Sequence, residues 1–246
     1  MTGRLQDRVI VVTGASKGIG AATVAACLRE GARVVGTARD PSAIVESETC
    51  RAVAHDVGSE ADWARVMEAA EALGPVYGVV NNAGVFLLKP LAETSEADFD
   101  TLYRTNVEGC WLGVKHGFAA IGRSGRGGAV VNVSSLMGQV GVADGTAYCA
   151  TKGAVTGLTK AAAVDGARLT PKIRVNSLHP GVTWTPMLTG VFGEDASGDA
   201  LFGADTPLRR VGRPEEMAEA VVFLLSDDSA YMTGAELTVD GGRGAD

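Results

Sequence analysis

The feature that most restricts the fold lies near the start of the chain. There the β-branched run Val9-Ile10-Val11-Val12 leads directly into Thr13-Gly14-Ala15-Ser16-Lys17-Gly18-Ile19-Gly20 and then into a helical pattern. A strand, a glycine-rich turn and a helix in immediate succession set free N–H groups, at the positive end of a helix dipole, beside a tight turn. Gly14, Gly18 and Gly20 let the backbone turn sharply and approach a pyrophosphate, with Ser16, Lys17 and Ile19 completing the loop. Glycines alone could equally shape an ordinary turn, so the strand before them and the helix after them carry the weight. Their spacing is Gly-x3-Gly-x-Gly rather than Gly-x-Gly-x2-Gly, which points to one branch of dinucleotide-binding enzymes.

The same strand chemistry recurs at Val34-Val35, Ala52-Val53-Ala54, Val79-Val80, Val130-Val131, Ile173-Arg174-Val175 and Leu237-Thr238-Val239. Strands this continuously apolar are covered on both faces, and intervening helices supply the cover through right-handed crossovers. The expected architecture is therefore α/β, a Rossmann-like doubly wound parallel sheet of about seven strands with helices on both faces. Helices are predicted over 19–30, stopped by Gly31, over 60–73, stopped by Gly74, and over 214–225, opened by Pro214 with Glu215 and Glu216 behind it. The stretch 148–164 has helical spacing, and its Gly153 and Gly157 offer a flat strip to another helix. With neither repeats nor a linker, the 246 residues form one expected domain, 1–246. The longest irregular stretch, 180–207, is expected to form a lid over a substrate site.

Bulk properties remove several function classes. The 46% hydrophobic content is dispersed, and no run approaches the roughly 18 to 20 apolar residues of a membrane-spanning helix. The polar residues 1–8 leave no room for a signal peptide, so a soluble cytoplasmic protein is expected. Cys27, Cys50, Cys110 and Cys149 are scattered without Cys-x2-Cys pairing and read as free thiols, with no metal site. A net charge of -7 argues against a nucleic-acid partner.

Together with Asn81-Asn82-Ala83-Gly84, Tyr148-x3-Lys152 and Pro180-Gly181, the glycine-rich turn resembles the short-chain dehydrogenase/reductase family, in order and along essentially the whole chain. Within it, the stretches 174–181 and 233–242 are most similar to bacterial hydroxysteroid and secondary-alcohol dehydrogenases. The resemblance implies a nicotinamide cofactor and hydride transfer between a ketone and a secondary alcohol. Tyr148 and Lys152, four apart on a helix, share one face. Hydride addition leaves an alkoxide that needs a proton, and a phenol with a free pKa of about 10 serves best when a neighbouring ammonium favours its ionised form. The family pattern adds Ser135, thirteen residues before Tyr148, to hydrogen-bond the substrate oxygen, with Ser134 as the competing candidate. It also adds Asn106, to hold a water joining Lys152 to solvent, although an asparagine there could simply cap or kink its helix.

Cofactor choice falls at the end of the second strand, Gly36-Thr37-Ala38-Arg39-Asp40. By the resemblance, the position of a ribose-binding carboxylate is Ala38 and the next is Arg39, so NADP(H) is preferred, with Lys17 adding charge. Asp40 is either a loop cap or an acid of the NAD type, which keeps NAD(H) as the alternative. The resemblance further implies that Asp56 and Val57 flank the adenine and that Asn82, with Ala83 and Gly84, lines the ribose. It puts Pro180, Gly181, Thr183 and Thr185 at the nicotinamide, which Tyr148 and Lys152 also reach. A substrate would meet Ser135, Leu136, Met137, Val142, Tyr148, Trp184 and Met187, with Phe192 or Phe202 as further candidates. That apolar lining suits an alicyclic, aromatic or steroid-like ketone. Arg209, Arg210 and Arg213 read as surface or interface charges and His179 as strand-end packing. Two other enzymes stay open: a 3-oxoacyl-[acyl-carrier-protein] reductase, for which Arg123-Ser124-Gly125-Arg126 is a thin basic patch, and an NAD-dependent alcohol dehydrogenase. A catalytically silent cofactor-binding scaffold is the alternative of a different class. The family also implies a homotetramer.

Overall fold

Every β-branched run becomes a strand of one parallel sheet in the computed structural model, which describes residues 3–193 and 197–245. In chain order the elements are β1 (Val9–Thr13), α1 (Gly18–Arg29), β2 (Arg33–Ala38), β3 (Cys50–Ala54), α2 (Glu60–Leu73), β4 (Val76–Asn81), α3 (Glu96–Tyr103), α4 (Gly109–Ser124) and β5 (Gly128–Val133). They continue with α5 (Thr146–Arg168), β6 (Ile173–Pro180), α6 (Pro186–Phe192), α7 (Gly198–Phe202), α8 (Pro214–Leu225) and β7 (Glu236–Val239). The spatial order is β3-β2-β1-β4-β5-β6-β7. Strand order reverses between β1 and β4, and a ligand crevice opens at such a switch point, beyond the carboxyl ends of the strands.

Alternation along β1 divides the core between two faces. Ile10 and Val12 join Val34, Val80 and Val131 under α1 and α8, whereas Val9 and Val11 join Val35, Val79, Val130 and Val175 under α2, α4 and α5. β1 is buried end to end and its central neighbours nearly so, while the edge strands β3 and β7 are only partly covered. Local signals set the helix ends. The Ser59 hydroxyl accepts from Asp62 N at 3.3 Å to start α2, and Gly74 ends it at φ +139. No side chain caps α1, whose first residues face the crevice.

Two expectations change. Residues 180–207 are more regular than their composition suggests, since α6 and α7 lie within them; residues 194–196 of that stretch lie outside the described residues. Among the described residues the strip at Gly153 and Gly157 meets no α-helix: a β-carbon on Gly157 would find nothing within 4 Å, and one on Gly153 only Gly138 O at 3.7 Å. The close helix-to-sheet approach occurs instead on α4. There a β-carbon on Gly113 would fall 1.9 Å from Asn81 Oδ1, and one on Gly117 would fall 2.9 Å from Val79.

Candidate active site

The crevice at the switch point is a cleft of about 600 Å³ bordered by the glycine-rich turn at one end and by Ser135 and Tyr148 at the other. Gly14 turns with φ +65, and a β-carbon there would lie 2.8 Å from Ala83 Cα. Asn82 fixes the opposite wall, since its Nδ2 donates to Thr13 O at 2.8 Å and to Gly14 O at 3.2 Å. Gly14, Ser16, Lys17, Gly18, Ile19, Asn82, Ala83 and Gly84 all border the cleft, but Gly20 does not. Its place is structural: a β-carbon on Gly20 would fall 2.1 Å from Gly14 O, so only glycine lets α1 start against the turn. Uncapped amides of α1 and a backbone cradle with no side chains in the way fit a dinucleotide pyrophosphate.

Beyond β2, Arg39 borders the cleft and is exposed. Asp40 turns away, its Oδ1 accepting from Ser42 N at 3.0 Å, so it is a loop cap. Asp56 and Val57 border the same end. Asp56 Oδ1 accepts from Gly58 N at 3.0 Å and its Oδ2 from Arg104 Nη2 at 2.8 Å. Arg104 also borders the cleft, lying flat on the Gly58 backbone, and only the three-dimensional approach of α3 to the loop after β3 could have found it.

At the other end, α5 carries both Tyr148 and Lys152 to the cleft wall, and both are buried. Lys152 Nζ donates to Val133 O at 2.9 Å and lies 5.7 Å from the centre of the Tyr148 ring. Phe86 meets that ring edge-on at 4.9 Å. Burial pushes the Tyr148 phenol up to about 12, with the Ser135 hydroxyl pulling it down by less. Burial also brings Lys152 down to about 8.

The two serines separate clearly. Ser134 is buried and its hydroxyl donates to Lys152 O at 2.8 Å, tying β5 to α5. Ser135 opens the short turn after β5, with its hydroxyl accepting from Met137 N at 3.1 Å at the cleft wall. Asn106 stands behind the wall in a single π-helical turn, Arg104–Glu108, between α3 and α4. Its Oδ1 accepts from Val85 N at 2.8 Å, while its Nδ2 donates to Val85 O at 3.0 Å and Thr151 Oγ1 at 3.1 Å. Gly84 separates this carboxamide from the lysine: a β-carbon there would sit 3.2 Å from Asn106 Oδ1 and 3.6 Å from Lys152 Nζ.

Pro180, Gly181, Thr183 and Thr185 border the cleft, as do Leu136, Met137, Val142, Met187, Phe192 and Phe202. Trp184 does not. Its ring lies against Gly198, where a β-carbon would come within 2.6 Å, so this tryptophan braces α7 from beneath. Phe192 and Phe202 meet edge-on at 5.1 Å, joining α6 to α7. Sequence reading missed Phe86 and Leu88, although the apolar run Val85-Phe86-Leu87-Leu88 directly after Gly84 was a legible signal. It also missed Arg243, which reaches the cleft from the turn after β7 and lies 3.5 Å from Asp205. The arginines set aside are engaged elsewhere: Arg210 makes a two-pronged pair with Glu216, and Arg209 donates to Ala204 O. Arg123 pairs with Glu71. Among the described residues no cluster of acids, histidines and cysteines could hold a metal, and no helix is long and apolar enough to cross a membrane.

Known proteins match along the whole chain. The family described as enoyl-(acyl carrier protein) reductase matches residues 14–243. An NADP-dependent (R)-specific alcohol dehydrogenase of Lentilactobacillus kefiri is 37% identical over 250 residues, covering 98% of each chain. Cyclopentanol dehydrogenase of Comamonas testosteroni is 39% identical over 249 residues, again 98% of each. A 3-beta-hydroxysteroid dehydrogenase of the same species is 37% identical over 98% of this chain and 97% of its own.

Proposed function

The chain belongs to the short-chain dehydrogenase/reductase family and is an oxidoreductase of ketones and secondary alcohols; from that premise we propose an NADP(H)-dependent enzyme for apolar cyclic, aromatic or steroid-like substrates. The observation that carries this reading is one cleft, with a phosphate cradle at the start of α1 and the Ser135–Tyr148–Lys152 group facing it across the switch point. The bound nicotinamide supplies the hydride, and the rest is work for this chain's side chains.

In the reducing direction Tyr148 gives its proton to the oxygen of the former carbonyl. Its burial keeps it protonated at neutral pH, the form needed of a donor. Ser135, whose hydroxyl accepts from Met137 N but, unlike that of Ser134, donates to no backbone carbonyl among the described residues, hydrogen-bonds the same oxygen and holds it beside Tyr148. Lys152 stands charged below pH 8 and offsets the negative charge that Tyr148 acquires on giving up its proton. Asn106 completes the relay. Its side chain is engaged with Val85 and Thr151, so a relay water binds at its main-chain carbonyl.

NADP(H) is favoured because Ala38 puts no carboxylate at the ribose, Asp40 is occupied as a loop cap, and Arg39 and Lys17 both border the cleft. The alcohol dehydrogenase of Lentilactobacillus kefiri, named as NADP-dependent, points the same way. Asp56 and Val57 would flank the adenine, and Thr183 and Thr185 the nicotinamide carboxamide. The segment 180–207 would act as a lid, closing α6 and α7 over an apolar substrate held by Leu136, Met137, Val142 and Met187. We assign the active form to a homotetramer, for which the open faces of α4 and α5 provide surface. The carrier-protein reading loses support from Arg123, whose charge is neutralised by Glu71.

The first test follows the absorbance of reduced nicotinamide with NADPH and separately NADH, using cyclopentanone, acetophenone and a 3-ketosteroid, with Tyr148→Phe as control. NADPH-preferring turnover, absent from Tyr148→Phe, is expected. Cofactor binding without turnover on any ketone would overturn the reading in favour of a silent scaffold.

A further inference from the structure

The ladder between β5 and β6 stops at a position where the sequence cannot continue it. Its last pair is Val133 with Leu178, and Ser134 N donates to Leu178 O at 2.8 Å. In a parallel ladder the next rung runs from the peptide N–H of residue 180 to the carbonyl of Ser134, and residue 180 is a proline with no N–H to give. The strand ends would part here, where Ser135 must turn into the cleft.

His179 occupies that gap. It is fully buried, and its Nδ1 lies 3.0 Å from Ser135 O. A carbonyl only accepts, so Nδ1 carries the proton, and Nε2 accepts from the Ser177 hydroxyl at 2.8 Å. The same Ser135 carbonyl accepts from Gly138 N at 2.9 Å, closing the short turn Leu136–Gly138. Both lone pairs of this carbonyl are thus engaged, one by the turn and one by the imidazole. Behind the ring stands Glu236 of β7, its Oε2 3.8 Å from His179 Nε2 and held by Gln139 Nε2 at 2.8 Å. Gln139 directly follows the turn that Ser135 opens, so the ring and the turn are anchored to the same strand.

We propose that His179 is a positioning residue for the reaction: with the rung to Ser134 lost at Pro180, its Nδ1–H ties the strands one residue further on and fixes the peptide of Ser135, so that the serine hydroxyl points at the substrate oxygen beside Tyr148. It touches neither substrate nor cofactor and acts only through Ser135. This rests on the reading of Ser135 given above. The role is specific to one ring nitrogen, which makes it separable from packing. An asparagine amide overlays Nδ1 and can keep the bond to Ser135 O, whereas a glutamine amide overlays Nε2 and cannot.

The experiment measures kcat, KM for ketone and Kd for NADPH on the same three ketones in His179→Asn, His179→Gln, Ser177→Ala and each of these combined with Ser135→Ala. Because a displacement of about 1 Å at a reacting group is worth up to about a hundredfold in rate, His179→Gln is expected to lose about tenfold or more in kcat with NADPH binding unchanged. His179→Asn should stay within about threefold of the parent, and in the Ser135→Ala background His179→Gln should cost less than about twofold, because the group it positions is gone. Ser177→Ala keeps the ring but frees Nε2, so it should show a smaller loss with the same dependence on Ser135, and it carries the test if His179→Gln does not fold. Equal losses in the asparagine and glutamine variants, or losses that persist in full without the Ser135 hydroxyl, overturn the proposal. If Ser135→Ala alone leaves turnover unchanged, the assignment of that serine falls, and this is seen before His179 is touched.

Discussion

Lys152 is a catalytic candidate whose chemistry is strongly altered by its surroundings. Its ammonium is buried with a carbonyl as partner and, among the described residues, no carboxylate beside it, and burial brings it from 10.5 down to about 8. A lowered lysine means that the unfolded chain holds a proton the folded chain gives up between pH 8 and 10.5, so folding gains stability as pH rises through that window. Lys152→Met lacks this term. The stability of the parent relative to Lys152→Met, measured by denaturant unfolding, should therefore increase from pH 8 to pH 10; a difference independent of pH would show that the ammonium is solvated. Below pH 8 the charged lysine is a cost to the fold, accepted because the site needs it. Arg39 gives the second prediction at this scale. Removing one hydrogen bond to a phosphate, worth about 1.5–3 kcal/mol, should raise KM for NADPH in Arg39→Ala by about 10- to 100-fold and leave NADH almost unaffected. Equal effects on the two cofactors would make Arg39 a surface charge and return the preference to NAD(H).

Between elements, the sequence was legible where one residue type has one cause. Gly31 and Gly74 stop helices, Pro214 opens one, and alternation along the strands assigns each side chain to a face. Contacts made by glycines were not legible, because a glycine marks closeness without saying to what. Gly153 and Gly157 on α5 offer their strip to no α-helix of the described chain, with Gly138 O 3.7 Å from a β-carbon on Gly153 and Gly157 open, while Gly109, Gly113 and Gly117, with the same spacing on α4, are where that helix meets Val57, Asn81 and Val79. Gly113→Ala would force a methyl into the Asn81 carboxamide, which donates to Asn132 Oδ1 at 2.8 Å in a buried chain that continues to Thr159. Overpacking of this kind costs about 1–3 kcal/mol, so a lowered midpoint in thermal unfolding is expected, and an unchanged one would mean that α4 slides freely on the sheet. The lid follows a similar logic. Trp184 was read as part of the apolar substrate lining under the stretch 180–207, yet it faces Gly198. Trp184→Ala should loosen α7 and raise KM for the steroid by about fivefold or more while Kd for NADPH holds, since the cavity it leaves lies under the lid and away from the cofactor cradle. A fall in kcat alone, with KM constant, would place the ring at the reacting centre instead.

At the scale of the molecule, what was legible follows from parallel sheets burying both faces: the seven apolar runs had to be adjacent strands, and the glycine-rich turn had to sit at the reversal of their order. The cleft's second wall was harder to read, because Arg104, Phe86 and Arg243 reach it from segments far apart in the chain, and only the closure of the fold brings them together. The same closure leaves apolar side chains on the outside. Trp111 on α4 is half exposed, Phe99 and Tyr103 stack at 6.1 Å on the neighbouring α3, and Val164 stands out from α5 beside the open glycine strip. Exposed apolar side chains on neighbouring helices suit a second copy of the chain. A tetramer has four times the 25.2 kDa of one chain by light scattering. Trp111→Glu, which sets a charge in the middle of that face, should lower the mass while each chain still binds NADPH, because the cleft lies at the sheet's carboxyl edge and is complete within one chain. A parent mass of one chain would remove the tetramer outright. An unchanged mass in Trp111→Glu would move the interface to another face, for which Tyr231 and Leu208, both exposed on the far side near β7, are the next residues to charge.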